Sequence, residues 1–233
     1  MAHSVAFSAL ILASMEALAR GVNLITAVAL RSRAPLPHNP KQHLDTLEPL
    51  DRTYIAVNKL LTVLFVYHLL RAVWTLPSVA WKLSEITLLN TVGSLGAFFV
   101  LYDLMYASFH RFLHARAVYK YVHKHHHRQI SPTRGQYDAI NVHPFEFLVG
   151  EYFHLLVVVV IPCHVLAVLT FVVAGGVLAS LNHTRLGFRI PGLYDVKNHD
   201  VHHRWPEQNF GQYIMLWDYV FGWYRDYAPP KLA

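Results

Sequence analysis

Four apolar stretches, at 4–30, 54–76, 86–109 and 147–181, alternate with polar, proline-rich or basic segments along the chain. An α-helix needs about 20 apolar residues to cross the hydrocarbon core of a bilayer. The first stretch has that length but is interrupted by Glu16 and Arg20. Ala17 and Ala19 form an A-x-A-like site that would suit a signal peptide, yet no Lys or Arg precedes the apolar run, which argues against cleavage. The segment 31–53, with Pro35, Pro37, Pro40 and Pro49, reads as a loop. The second stretch predicts a helix carrying Lys59, His68 and Arg71 and stopped by Pro77, and the third a cleaner span with Asp103 near its end. The run 147–181 is too long for one perpendicular helix and short for two, so a hairpin near Pro162, or two short tilted helices, is expected. Backbone groups in lipid must bond within their own segment, so all these elements are helices and the fold class is all-α, multispanning.

Composition agrees. Of 233 residues, 54% are hydrophobic and 15% charged, with mean hydropathy +0.29. Soluble domains carry about 25% charged residues, and intrinsic disorder requires far more charge and fewer aromatics. The single cysteine, Cys163, excludes a disulfide framework, an iron–sulfur site and a thiolate zinc site within one chain. The excess of 20 basic over 14 acidic residues sets membrane topology rather than binding nucleic acid. The count that changes the picture is 17 histidines, because imidazole is the commonest protein metal ligand.

Their spacing is ordered. His110 and His114 stand i, i+4, which puts both rings on one helix face. His123, His126 and His127 form H-x-x-H-H, and His199, His202 and His203 repeat it. On a helix each triplet shares a face while His125 points elsewhere. His143, before Pro144-Phe145-Glu146, and His183, after Asn182, stand alone beside these groups. His68, His125, His154 and His164 read as hydrogen-bonded or headgroup histidines, and His3, His38 and His43 as solvated. Ten imidazoles exceed what one ion accepts, so two ions with four or five histidines each is the natural count, and imidazole suits Zn, Cu, Fe and Ni alike. A carboxylate-bridged di-iron bundle needs Glu-x-x-His twice. Only Glu151-Tyr152-Phe153-His154 supplies it here, so that class is rejected.

From Asp103 to about Tyr227 the chain resembles the fatty acid hydroxylase superfamily, the membrane family of sterol desaturases and sterol methyl oxidases. The order H-x-x-x-H, H-x-x-H-H, His before Pro-hydrophobic-Glu, isolated His and H-x-x-H-H is matched throughout. So is the tail Asn209-Phe210-Gly211-Gln212-Tyr213, with Leu216-Trp217-Asp218 and Phe221-Gly222. Trp223 departs from the Thr or Ser of many members. The resemblance implies two iron ions (zinc being able to replace them in purified samples) that use O2 to hydroxylate or desaturate an unactivated C–H bond of a sterol or fatty-acyl lipid. It carries His110, His114, His123, His126, His127, His143, His183, His199, His202 and His203 over as ligand candidates. Asp103, Glu146, Asn182 and Asp200 are candidates to hydrogen-bond the far ring nitrogens. No cytochrome b5 module is fused, so electrons are expected from an external donor such as cytochrome b5 and its reductase.

The expected organisation is a membrane-associated region over 1–85 and one integrated histidine-box region over 86–233. Convergence of the histidines puts 110–146 and 182–233 on one side of the membrane. The basic excess of 110–146 makes that side the cytosol, with the endoplasmic reticulum as the expected membrane. Carotenoid- and acyl-desaturase-like oxidases are alternatives, against which the first-box spacing and the tail argue. A histidine-lined metal transporter is the non-enzyme alternative, but such sites lie near the bilayer midplane, and these boxes lie outside the apolar runs.

Overall fold

The computed structural model describes residues 46–229 without interruption and, before them, 5–7, 9–10, 13–14, 16–17, 20–21, 23–24, 28, 36–37 and 44. His3, His38 and His43, Ala19 of the leader-like site and most of the loop 31–45 lie outside the described residues.

The protein is a helical membrane protein. Its chain runs through α1 (Pro49–Thr75), α2 (Ser94–Leu113), α3 (Pro144–Val160), α4 (Val165–Asn182), α5 (Val196–Arg204) and α6 (Leu216–Val220), with short helical turns between them. Among the described residues, three helices are long and apolar enough to cross a membrane: Pro49–Thr75, Leu89–Leu113 (α2 with the π-helical turn before it) and Val165–Asn182.

α1 starts inside the stretch expected to be loop. Pro49 occupies the first turn, where its missing N–H is no loss and its fixed φ suits the helix. The Glu48 N–H donates to Asp51 Oδ2 at 2.6 Å, closing the start. The break between α3 and α4 falls at Pro162, as the apolar pattern expects. His164 Nδ1 accepts the Leu166 N–H at 3.2 Å to start α4.

Cys163 and His164 pair in parallel with Val79 and Ala80, from the α1–α2 connection. Both connections therefore meet at one end of the bundle. α1 and α3 run towards that end, and α2 and α4 return from it. α1 packs against α3, and α2 against α3 and α4. The shared core is apolar and aromatic, with Phe65, Phe98, Val157, Val158, Val168 and Phe171 buried. Outward positions are apolar too, Leu60 at 70% and Leu89 at 80% exposure. A helix apolar all round belongs in lipid or a large core. The opposite end collects the helix termini that carry histidines.

Candidate metal centre

Nine histidines converge in two adjoining groups: His110, His114, His123, His127 and His202 in one, and His126, His183, His199 and His203 in the other. His110 and His114 come from the last turn and C-cap of α2, and His183 from the C-cap of α4. Each H-x-x-H-H box divides between the groups. His123 and His127 enter the first group and His126 the second, whereas His199 and His203 enter the second and His202 the first. Neighbouring helical positions are about 100° apart, so a box lying along the seam sends rings to both sides. α5 is a regular helix. The stretch before His126 is a run of turns, with a 3-10 turn over His126–Arg128. The single α-helical face expected for 123–127 is therefore replaced by a tighter, irregular path.

The ring orientations are set from outside. His110 Nδ1 lies 2.9 Å from the Phe210 carbonyl, His202 Nδ1 2.8 Å from that of Gln208, and His183 Nδ1 2.8 Å from that of Ala179. Glu146 Oε1 lies 2.8 Å from His123 Nδ1. A carbonyl oxygen only accepts, so in the His110, His183 and His202 rings Nδ1 carries the proton and Nε2 a lone pair. Those lone pairs face inward: His110 Nε2 is 2.9 Å from His123 Nε2, and His202 Nε2 is 3.1 Å from His127 Nε2. In the second group His199 Nε2 is 3.0 Å from both His183 and His203 Nε2. His114 Nε2 is buried with no hydrogen-bond partner.

Protonation does not relieve this crowding. Burial, reinforced by neighbouring histidines, pushes His114 down to about 2. Burial, with a contribution from His110, pushes His127 down to about 3. Burial likewise holds His123, His126, His199, His202 and His203 well below the ordinary imidazole range. Neutral imidazoles with converging lone pairs, one of them orphaned, are the donor set a divalent cation satisfies. The residues present fit a metal in each group.

Residues 95–223 match the fatty acid hydroxylase family. The chain belongs to that family. Over 155 residues it is 30% identical to cholesterol 25-hydroxylase-like protein 1, member 2, of Danio rerio, covering 62% of this chain and 55% of that protein. Lathosterol oxidase of Homo sapiens is 30% identical over 145 residues, 60% of this chain and 47% of that enzyme. Methylsterol monooxygenase 1 of Gallus gallus is 30% identical over 132 residues, 53% and 43% of the two chains. The chain thus spans about half the length of the curated relatives it matches. No solved structure matches it.

Within this fatty acid hydroxylase family member, the expected ligand His143 is not brought to either group. It caps α3, where its Nδ1 accepts the Phe145 N–H at 3.2 Å, and its ring meets Tyr54 edge-on at 5.6 Å. Pro144 starts the helix immediately after it, so the ring is committed to the helix entry. Of the four carboxylate and amide candidates, Glu146 alone meets a ligand ring. Asp103 instead accepts the backbone N–H groups of Gln212, Tyr213 and Ile214. Asn182 donates to the Gln212 carbonyl and accepts the Tyr194 hydroxyl. Asp200 pairs with Arg185 and Arg204.

The ring partners that the motif reading missed are mostly backbone carbonyls, which every residue carries. The signal for them was the tail Asn209–Gly222, which matches the family pattern. Asp218 Oδ1 and Oδ2 accept the N–H groups of Phe210 at 2.6 Å and Gly211 at 2.9 Å, fixing the loop whose carbonyls hold His110 and His202. Gly211 is required there, since a Cβ would lie 2.6 Å from the Ile214 carbonyl oxygen and 2.8 Å from Asp218 Oδ2. Trp223 packs under Arg111, whose guanidinium lies 4.5 Å from its ring. His125 bonds Asp51 and Asn141, outside both groups.

Proposed function

We propose that this chain oxidises an unactivated C–H bond of a lipid, by hydroxylation or desaturation, with O2 as co-substrate and two iron ions held by the two histidine groups. The observation that carries this reading is a cavity of about 1320 Å³ among α1–α4, lined by none of the nine clustered histidines but by two side chains that touch them. Its walls include Glu146 and Tyr106. Glu146 touches His123, and the Tyr106 ring lies 5.3 Å from that of His110. The rest is largely apolar, with Val66, Leu70, Val168 and Val172 among the lining residues. Iron, when bound, supplies the activation of O2. The protein holds the ions, orients the rings through Glu146 and the carbonyls, and keeps the lipid chain away from water.

The sterol-oxidising names of its relatives favour a sterol-like substrate. Residues 86–233 form the catalytic region in this reading, and 1–85 a membrane-associated region before it. Electrons come from an external donor such as cytochrome b5 and its reductase. The basic segments beside the histidines favour a site facing the cytosol, at the endoplasmic reticulum. Metal analysis of folded, active protein should give two ions per chain, and lipid turnover should require O2. Zinc in an overexpressed sample is compatible, because zinc outranks ferrous iron for such ligands. One ion or none in active protein would overturn the dinuclear claim, and turnover without O2 would remove the oxidase reading.

A further inference from the structure

The cavity wall carries a second polar group, separate from the histidine clusters and one to two turns along α3 from Glu146. Glu151 lies in the middle of that apolar helix and lines the cavity. Its carboxylate has no hydrogen bond or ion pair to any described residue. Two cations line the cavity from α1: Lys59, which is paired with Glu16 at 3.0 Å, and Arg71, which makes no ion pair with Glu151. An ionisable side chain with no partner on the wall of an apolar cavity is costly to keep and calls for a role.

Beside it stand His154, Tyr213 and Tyr102, all lining the same space. His154 Nδ1 lies 3.2 Å from the Gly150 carbonyl, so Nδ1 donates and Nε2 accepts the Tyr213 hydroxyl at 3.0 Å. The Tyr213 proton is thereby committed, and its oxygen, beside the Tyr102 hydroxyl, keeps a lone pair with which to accept. The pair is fitted against Gly175, where a Cβ would lie 2.8 Å from the Tyr213 oxygen and 3.2 Å from His154 Nε2. Glu151 and His154 stand i, i+3 on α3, which puts the carboxylate and the pair on one face of the helix and in one cavity wall.

We infer that Glu151, with the His154–Tyr213 pair, is a subsite for the hydroxyl group of a neutral lipid alcohol bound in this cavity. This rests on the lipid-oxidising reading and narrows its substrate class. A carboxylate and a committed phenol both offer acceptors, so the ligand must bring a donor. A hydroxyl serves either protonation state of Glu151. It donates to the carboxylate, or it accepts from the carboxylic acid while donating to the Tyr213 oxygen. An ether or a ketone lacks the donor. A free fatty acid would set one carboxylate against another.

The test is equilibrium binding to the detergent-solubilised full chain. The probes are radiolabelled cholesterol and 1-octadecanol, each against its methyl ether, with metal content measured on every sample. At least one alcohol should bind ten-fold or more tighter than its ether. Glu151→Leu, which suits an apolar helix, should erase that preference while leaving ether affinity and metal content unchanged. Glu151→Gln, which retains an acceptor, should keep part of it. Gly175→Ala should weaken alcohol binding by displacing the pair. If neither alcohol outbinds its ether, or if Glu151→Leu keeps the preference, the subsite is overturned. Loss of the dinuclear reading would appear separately, as the wrong metal count in the unaltered protein.

Discussion

His125 and His126 are neighbours in sequence with opposite duties. His126 joins His183, His199 and His203. His125 Nε2 lies 2.9 Å from Asp51 Oδ1 and 3.0 Å from Asn141 Oδ1, tying the first turn of α1 to the loop before α3. His126→Ala removes one of four donors and should empty the second group. His125→Ala should keep both metals and cost stability, about 1–3 kcal/mol for leaving the buried Asp51 carboxylate without that partner. His143→Ala should also keep both metals, because its ring serves a helix cap. Metal content with thermal denaturation across the three variants checks this. An H-x-x-H-H pattern names its own ligands because spacing and donor chemistry coincide, whereas an isolated histidine carries no local spacing. That is why His183 and His143 looked equivalent in the sequence and are not.

The loop between α5 and α6 acts as a single part. It presents the Gln208 and Phe210 carbonyls to His202 and His110. It is held from α6 by Asp218 and from α2 by Asp103. Asp218→Asn replaces an acceptor oxygen with an amide N–H that opposes the backbone donors, so the loop should shift although no ligand is lost. Misplacing ring partners typically lowers metal affinity or activity about 10–100-fold. We expect metal to leave the Asp218→Asn protein correspondingly faster under chelator challenge, with the helical content of the protein intact. Retention at the unaltered rate would mean the loop does not set the rings. The tail's residue types were visible in the sequence. Their purpose was not, since it depends on where two carbonyl oxygens point.

At the scale of the whole molecule, the described helices α1–α4 bring the histidine-bearing C-terminal ends of α2 and α4 to one end and the two short connections to the other. Trp74 and Trp81 meet edge-on at 5.1 Å near the connection end, beside Lys82 and Glu85. Aromatic residues of this kind gather at membrane interfaces. A cysteine placed at Lys82 should therefore react with a membrane-impermeant reagent from the side opposite to cysteines placed at Lys124 and Glu207. Cys163 is buried and should stay silent. Labelling of all three from one side would rule out a full crossing.

The apolar runs alone determined that the chain is helical and embedded in a membrane, and that 147–181 turns near Pro162, because hydrocarbon leaves backbone groups no other partner than their own segment. The histidine spacing alone pointed to imidazole donors, in a number that suits the two ions proposed. Tertiary structure decided the rest. It chose which rings share a group, since each box straddles a seam that forms only when α2, α4 and α5 end together. It gave ring orientation to carbonyls rather than to Asp103, Asn182 and Asp200, since a carbonyl's role depends on position and not on residue type. It also set Glu151 and Tyr213 against one cavity, though 62 positions separate them in the chain.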